Sequence, residues 1–190
     1  MFNHDLGGGA QLRLLELRHA PEFLAFIESN RAHLAPFLQW ADTTRTVQDA
    51  EDFIRRGLDS LAKDGLPWVG VWQDDALAGG LLLFPLQHNI RATEVGYWIG
   101  AGFEGRGLMR RALMAMLRYL FEDLGVNRVG LQADTENVRS QALAERLGFV
   151  QEGVKRQSWL LYGELRDNIQ YSLLAAEWRT RLDRPQSEPL

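Results

Sequence analysis

The stretch Phe103-Glu104-Gly105-Arg106-Gly107-Leu108-Met109 constrains this chain more than any other, because it joins an extended segment to the most regular helical pattern in the sequence. From Leu108 to Leu124 the apolar residues Leu108, Ala112, Leu113, Met116, Leu117, Leu120 and Phe121 fall on one face of a helix, and Gly125 supplies its stop. A glycine-rich turn entering such a helix leaves the first backbone N–H groups without partners and aimed outward. With the positive end of the helix dipole behind them, these donors suit a phosphate or diphosphate, and glycine lets the ligand reach the backbone where a side chain would block it. Two phosphate motifs are excluded. A P-loop needs Gly-Lys-Ser/Thr where Gly107 is followed by Leu108, and a dinucleotide fingerprint needs a third glycine where Arg110 stands. Taken by itself, the motif is explained equally well by a plain strand-to-helix turn whose glycines serve geometry alone.

The rest of the chain orders itself around this turn. Gln11–Leu17 alternates as a strand, Ala20–Trp40 carries one or two helices, and Thr46–Lys63 a further helix stopped by Gly65 and Pro67. Trp68–Gln73 and Leu77–Leu86 read as a hairpin turning at Asp74-Asp75, and Thr93–Gly100 as another strand. Arg128–Ala133 is a short strand, and Asn137–Leu147 a helix capped by Asn137 and closed by Gly148. Phe149–Trp159 and Arg166–Ala176 supply two final strands. The fold class is therefore α/β with a mixed sheet, without the regular alternation of a Rossmann fold. Residues 1–10, with three consecutive glycines, are expected as a flexible leader, 11–177 as one domain, and 178–190 as a tail whose last part carries two prolines.

Composition narrows the function. The chain has 190 residues, 46% of them hydrophobic and 24% charged, enough for a real core in one soluble domain. A formal charge of −4 lacks the basic footprint of a nucleic-acid binder, so no direct nucleic-acid contact is expected. With no cysteine, a Cys-based zinc site, an Fe–S cluster and a thiol nucleophile are all excluded. His4, His19, His33 and His88 are scattered, so no metal is expected. The chain's start has no signal-peptide pattern and no apolar run is long enough to span a bilayer, which points to a cytoplasmic protein without a membrane partner.

Glu104-Gly105-Arg106-Gly107-Leu108-Met109 resembles the acetyl-CoA pyrophosphate loop of the GNAT N-acetyltransferases, whose pattern is Gln/Arg-x-x-Gly-x-Gly/Ala; it departs from it at Glu104 and at Met109. Further segments are similar, in register, to the RimJ/RimL branch, the ribosomal-protein alanine/serine acetyltransferases. They are Glu94-Val95-Gly96-Tyr97-Trp98-Ile99, Asp134-x-x-Asn137-x-x-Ser140-Gln141-Ala142, Leu147-Gly148-Phe149-Val150-x-Glu152-Gly153, and Gly163-x-x-x-Asp167-x-x-x-Tyr171. Arg31-Ala32-His33-Leu34 with Trp40 resembles the branch's N-terminal helices. The resemblance spans roughly residues 11–177. It implies the GNAT fold, a central, mostly antiparallel sheet with one splayed pair of strands and flanking helices.

The resemblance also implies roles. Acetyl-CoA would be the co-substrate, held by Trp98, Ile99, Glu104, Gly105, Arg106, Gly107, Leu108, Met109, Arg110, Asn137 and Ser140. Gly96–Gly100 would be the splaying strand, its backbone free for the pantetheine arm and the thioester. Asn137 is fully explained as a helix cap, and a bond to pantetheine is a second role. Ser140 would assist the departing thiolate, or simply favour a helix start. Glu94 would be the general base, or a solvent-facing strand end, with Asp134, Glu152, Asp167 and a water relay as alternatives. An α-amine, with a pKa of ~7.7–8.0, needs far less deprotonation than a lysine at ~10.4, so a weak base favours an α-amine acceptor. The aromatic set Trp68, Trp72, Tyr97, Trp98 and Trp159 reads as core and pocket wall, and Phe37 and Trp40 as core or acceptor-site lining. Arg106, Arg110 and Arg111 form a solvated helix face from which one could pair with a phosphate. Candidate acceptors are a ribosomal-protein N-terminus, another protein N-terminus, or a small amine. The rival of a different class is a non-catalytic acyl-CoA-binding module. A homodimer is among the assemblies the branch allows.

Overall fold

The computed structural model describes residues 3–182. Its eight strands form one sheet in the order β1-β2-β3-β4-β5-β6-β8-β7. The strands are β1 (Asn3–Gly7), β2 (Ala10–Leu14), β3 (Val69–Gln73), β4 (Ala76–Leu83), β5 (Ala92–Ile99), β6 (Arg128–Asp134), β7 (Val150–Leu161) and β8 (Glu164–Leu174). All neighbours run antiparallel except β5 and β6. The helices are α1 (Ala20–Leu34), α2 (Gln39–Thr43), α3 (Val47–Asp64), α4 (Leu108–Arg118), α5 (Val138–Arg146) and α6 (Ala175–Leu182).

Alternation along the strands divides the helices between two faces. Val69 and Val71 of β3 join the core under α4 and α6, whereas Trp72 joins the cluster under α1, α2 and α3. The second cluster is aromatic: Phe23, Phe26, Trp40, Phe53 and Trp98 have ring centroids between 4.7 and 5.9 Å apart. Glycines in the sheet make this possible. A Cβ at Gly80 would lie 2.3 Å from the Trp98 ring, and one at Gly70 2.3 Å from that of Trp72. Trp68 packs against this cluster too, but Trp159, expected with it, is 46% exposed on β7, too far along the terminal hairpin to reach it.

The loose leader expected over residues 1–10 is corrected. Asn3–Gly7 pairs with β2 as an edge strand, and the glycines form the turn of that hairpin. Arg111 secures it, donating through Nη1 to the carbonyl oxygens of Gly7 (2.6 Å) and Leu6 (3.1 Å), so this arginine is not on a solvated face. The tail expected from residue 178 also starts too early. Trp178 of α6 is 1% exposed, stacks on Phe121 at 5.6 Å and donates through Nε1 to Glu122 Oε1 at 3.1 Å. Residues 183–190 lie outside the described residues. The long helix of the sequence pattern ends as α4 at Arg118 and continues as one π-helical turn, Tyr119–Asp123. Among the described residues no helix is long and apolar enough to cross a membrane, and no group of His, Asp and Glu is arranged to hold a metal ion.

Candidate active site

The parallel pair of strands at the centre of the sheet comes apart. β5 and β6 are paired only at Ala92–Arg128, Thr93–Val129 and Glu94–Gly130. Beyond that point β5 stays with β4 through Ile99, and β6 stays with β8 through Asp134. The result is a V-shaped cleft with Glu94 at its vertex, bounded by strand edges whose backbone polar groups have lost their ladder partners. Gly130 is needed at the vertex: a Cβ there would sit 2.9 Å from Glu94 Cγ and 3.4 Å from Gln170 Nε2.

The glycine turn forms one lip of the V. Gly100 N donates to Ala78 O at 2.8 Å, and Asn30 Oδ1 of α1 accepts from Ala101 N at 3.0 Å, which anchors the start of the turn. Gly105 (φ 72°) and Gly107 (φ 66°) then take left-handed conformations, and a Cβ on either would meet nothing within 4 Å. No side chain caps the N-terminus of α4, so its first N–H groups face this open cradle. Arg110 is half-buried, and its Nε is buried without a hydrogen-bond partner among the described residues. An open backbone cradle at an uncapped helix N-terminus fits a diphosphate.

The candidate cofactor residues divide by what they can offer. Leu108 and Met109 bury their side chains in the core, at 1% and 5% exposure, and so present only backbone N–H groups. Arg106 is exposed. The Glu104 carboxylate is engaged elsewhere, by an ion pair to Arg139 on α5 and by His33 Nε2 on α1 at 3.5 Å. Ile99 faces the α4 side, whereas the Trp98 indole lies in the aromatic cluster on the opposite side, so only its backbone borders the V.

α5 forms the other lip. Asn137 is its N-cap, Oδ1 accepting from Ser140 N at 3.1 Å, as its place before the helix predicts. Ser140 Oγ lies 2.6 Å from the Tyr97 hydroxyl, which reaches from β5 across the cleft. Burial pushes the Tyr97 phenol up to about 12, a rise that the bond to Ser140 opposes only in part. Tyr97, read from the sequence as core and pocket wall, makes a hydroxyl contact that sequence reasoning missed. It stands 43 residues from Ser140, and only the order of β5 and α5 in space brings the two together.

On the face of the sheet opposite α4, a cavity of about 260 Å³ opens beside the vertex, lined by Glu94, Thr93, Arg128, Glu152, Lys155 and Gln170 among others. Glu94 accepts from Gln132 Nε2 at 3.2 and 3.0 Å. The alternative acids are committed. Asp134 binds Arg166 (3.2 Å), Asp167 accepts from Gln157 N (2.7 Å), and Glu152 is held by Arg128. That hydrogen bond with Arg128 keeps the Glu152 carboxyl down at about 2. Phe37 and Trp40 are half-buried, and Trp40 stacks on Phe23 and packs at a tilt against Phe53 as part of the core. Tyr171 is buried in the sheet core at 0% exposure.

A glycine cradle leading into a cleft of unpaired strand edges, with one hydroxyl on each wall and a carboxylate at the vertex, is an arrangement suited to acyl transfer from a nucleotide-linked thioester. The chain belongs to the GNAT acetyltransferase family: residues 10–150 match the family model described as the Acetyltransferase (GNAT) domain. Among curated proteins it is 33% identical over 182 residues, 94% of this chain and 98% of the other, to YdaF of Bacillus subtilis (strain 168), provisionally named as a ribosomal N-acetyltransferase. It is 34% identical over 90 residues, 47% of this chain and 46% of the other, to the alanine N-acetyltransferase of ribosomal protein uS5 from Escherichia coli (strain K12). Its fold superposes with a TM-score of 0.87 on RimL, a ribosomal-protein alpha-N-acetyltransferase solved with coenzyme A. That match covers 93% of this chain and 99% of RimL at 21% identity, a likeness that concerns the fold. The chain is thus a GNAT acetyltransferase, and this family uses acetyl-CoA as its acyl donor.

Proposed function

We propose that the protein transfers the acetyl group of acetyl-CoA to the N-terminal α-amine of a ribosomal or other protein, by direct attack in a ternary complex. The observation that carries this reading is the V itself: β5 and β6 part at Glu94 and Gly130, between the glycine cradle on one lip and the capped N-terminus of α5 on the other. The names of the relatives favour a ribosomal-protein acceptor.

The chain's residues then divide the work. Backbone N–H groups from Gly105 to Arg110 take the diphosphate. The free edge of β5 from Gly96 to Ile99 orients the thioester, and a backbone N–H there stabilises the oxyanion, worth ~3–4 kcal/mol per well-placed donor. Asn137 contributes a bond to the pantetheine arm besides its cap, and Ser140 a hydrogen bond to the departing sulfur. Glu94, held in place by Gln132, takes the amine's proton directly or through water. Holding both reactants in one cleft supplies much of the rate, with no covalent acyl-enzyme.

The experiment is thiol release from acetyl-CoA by the purified protein with N-terminal peptides of ribosomal proteins, polyamines and aminoglycosides as acceptors. Release with the peptides supports the reading. Release with the small amines alone, or binding without release, contradicts it.

A further inference from the structure

The contact between Tyr97 and Ser140 is a short side-chain link from one wall of the cleft to the other between two uncharged groups. Tyr97 Oη lies 2.6 Å from Ser140 Oγ and 3.3 Å from the Ser140 carbonyl oxygen. Two roles are open to a phenol in that place. It can hand its proton to the leaving thiolate through the serine, or it can donate to the serine oxygen and so determine where the serine's own hydrogen points.

Relative acidity separates them. Burial pushes Tyr97 up to about 12, whereas a thiol titrates near ~8.5. Passing the proton from phenol to thiolate runs uphill by roughly 3–4 pKa units and would leave a tyrosinate in a half-buried place. A hydrogen bond carries no such penalty, and two bonds in series strengthen each other where water is scarce. Resting on the acetyltransferase reading above, we propose that Tyr97 is a positioning residue for acyl transfer: by donating to Ser140 Oγ, it turns the serine hydrogen toward the sulfur that leaves. The amine lone pair forms the C–N bond, and the C–S bond breaks with its electron pair going to sulfur. The amine's proton departs to Glu94 or water. Tyr97 and Ser140 keep their protons, so the products are the amide, the thiolate and one released proton.

The test is a double-mutant cycle of Tyr97→Phe and Ser140→Ala, with kcat and the KM for acetyl-CoA measured against an N-terminal peptide. Phenylalanine keeps the ring's volume, and melting curves confirm that each variant folds. The expected result is a kcat lower by roughly 10-fold for Tyr97→Phe, the loss of one hydrogen bond serving a developing charge, with KM within about twofold. In the Ser140→Ala background, Tyr97→Phe should then change nothing further. An equal fall in kcat in both backgrounds, or no fall in either, overturns the role of Tyr97 while the wild type's turnover still supports the acetyltransferase reading. A wild type that releases no thiol for any amine overturns that reading, and this inference with it.

Discussion

Replacing Gly105 or Gly107 by alanine separates a ligand cradle from a mere turn. Both glycines are left-handed, at φ 72° and 66°, and neither Cβ would meet an atom within 4 Å. In the free protein the only cost is therefore conformational, ~1–2 kcal/mol for an L-residue in that region. For a domain of this length the corresponding fall in Tm is about 2–8 °C. Gly65, at the C-cap of α3, supplies the control: its φ is 71° and it too has nothing within 4 Å of its Cβ. Gly65→Ala should lower Tm by a similar amount and leave the affinity for coenzyme A intact. Gly105→Ala and Gly107→Ala should weaken coenzyme A binding by at least ~10-fold, about 1.4 kcal/mol, because the new methyl group stands where the diphosphate meets the backbone. Isothermal titration with coenzyme A, alongside melting curves, measures both quantities. If all three variants lose only stability, the glycines serve turn geometry and the cradle is misassigned.

Three further outcomes are expected. Trp178→Ala should cost ~3–5 kcal/mol in urea unfolding, as for a buried aromatic residue, and a loss below about 1 kcal/mol would return α6 to the status of a tail. Glu152→Gln should flatten the acid limb of stability. The folded-state pKa lies below the ordinary value of 4.5, so the contribution is present above that value and is lost as pH falls toward about 2. Because Glu152 is 39% exposed, screening limits the effect to about 0.5–1 kcal/mol, read from urea titrations across that pH range, and parallel curves for wild type and variant would contradict the pairing. Asn137→Ala should cost ~1 kcal/mol through loss of the cap, and Asn137→Ser should restore stability but not coenzyme A affinity. If serine restores both, Asn137 is a cap alone.

Much of this architecture is legible in the residues, for identifiable reasons. α4 is legible because its apolar residues keep a helical period and end at a glycine, but the π-helical turn that closes it leaves no mark on that period. β1 is hidden. As an edge strand it has exposed residues at most positions, so alternation carries no signal, and its three glycines read as slack when they are the turn of a hairpin. α6 is missed because its one deeply buried aromatic, Trp178, stands among polar residues. The glycine turn before α4 and the Asn137 cap are local in sequence, and spacing alone locates them. The Tyr97–Ser140 pair, and the exit of the Trp98 indole to the other face, depend on how β5 and α5 meet and on which side of the sheet each strand residue falls. No local pattern encodes that.

The claim that the V transfers acetyl to a protein's α-amine is tested most directly with one peptide in two forms. Both carry an internal lysine; one has a free N-terminus and the other a blocked one. With labelled acetyl-CoA and purified protein, the label should appear on the α-amine of the free peptide and nowhere on the blocked one. Label on the lysine of both peptides, or on neither peptide, would contradict the account.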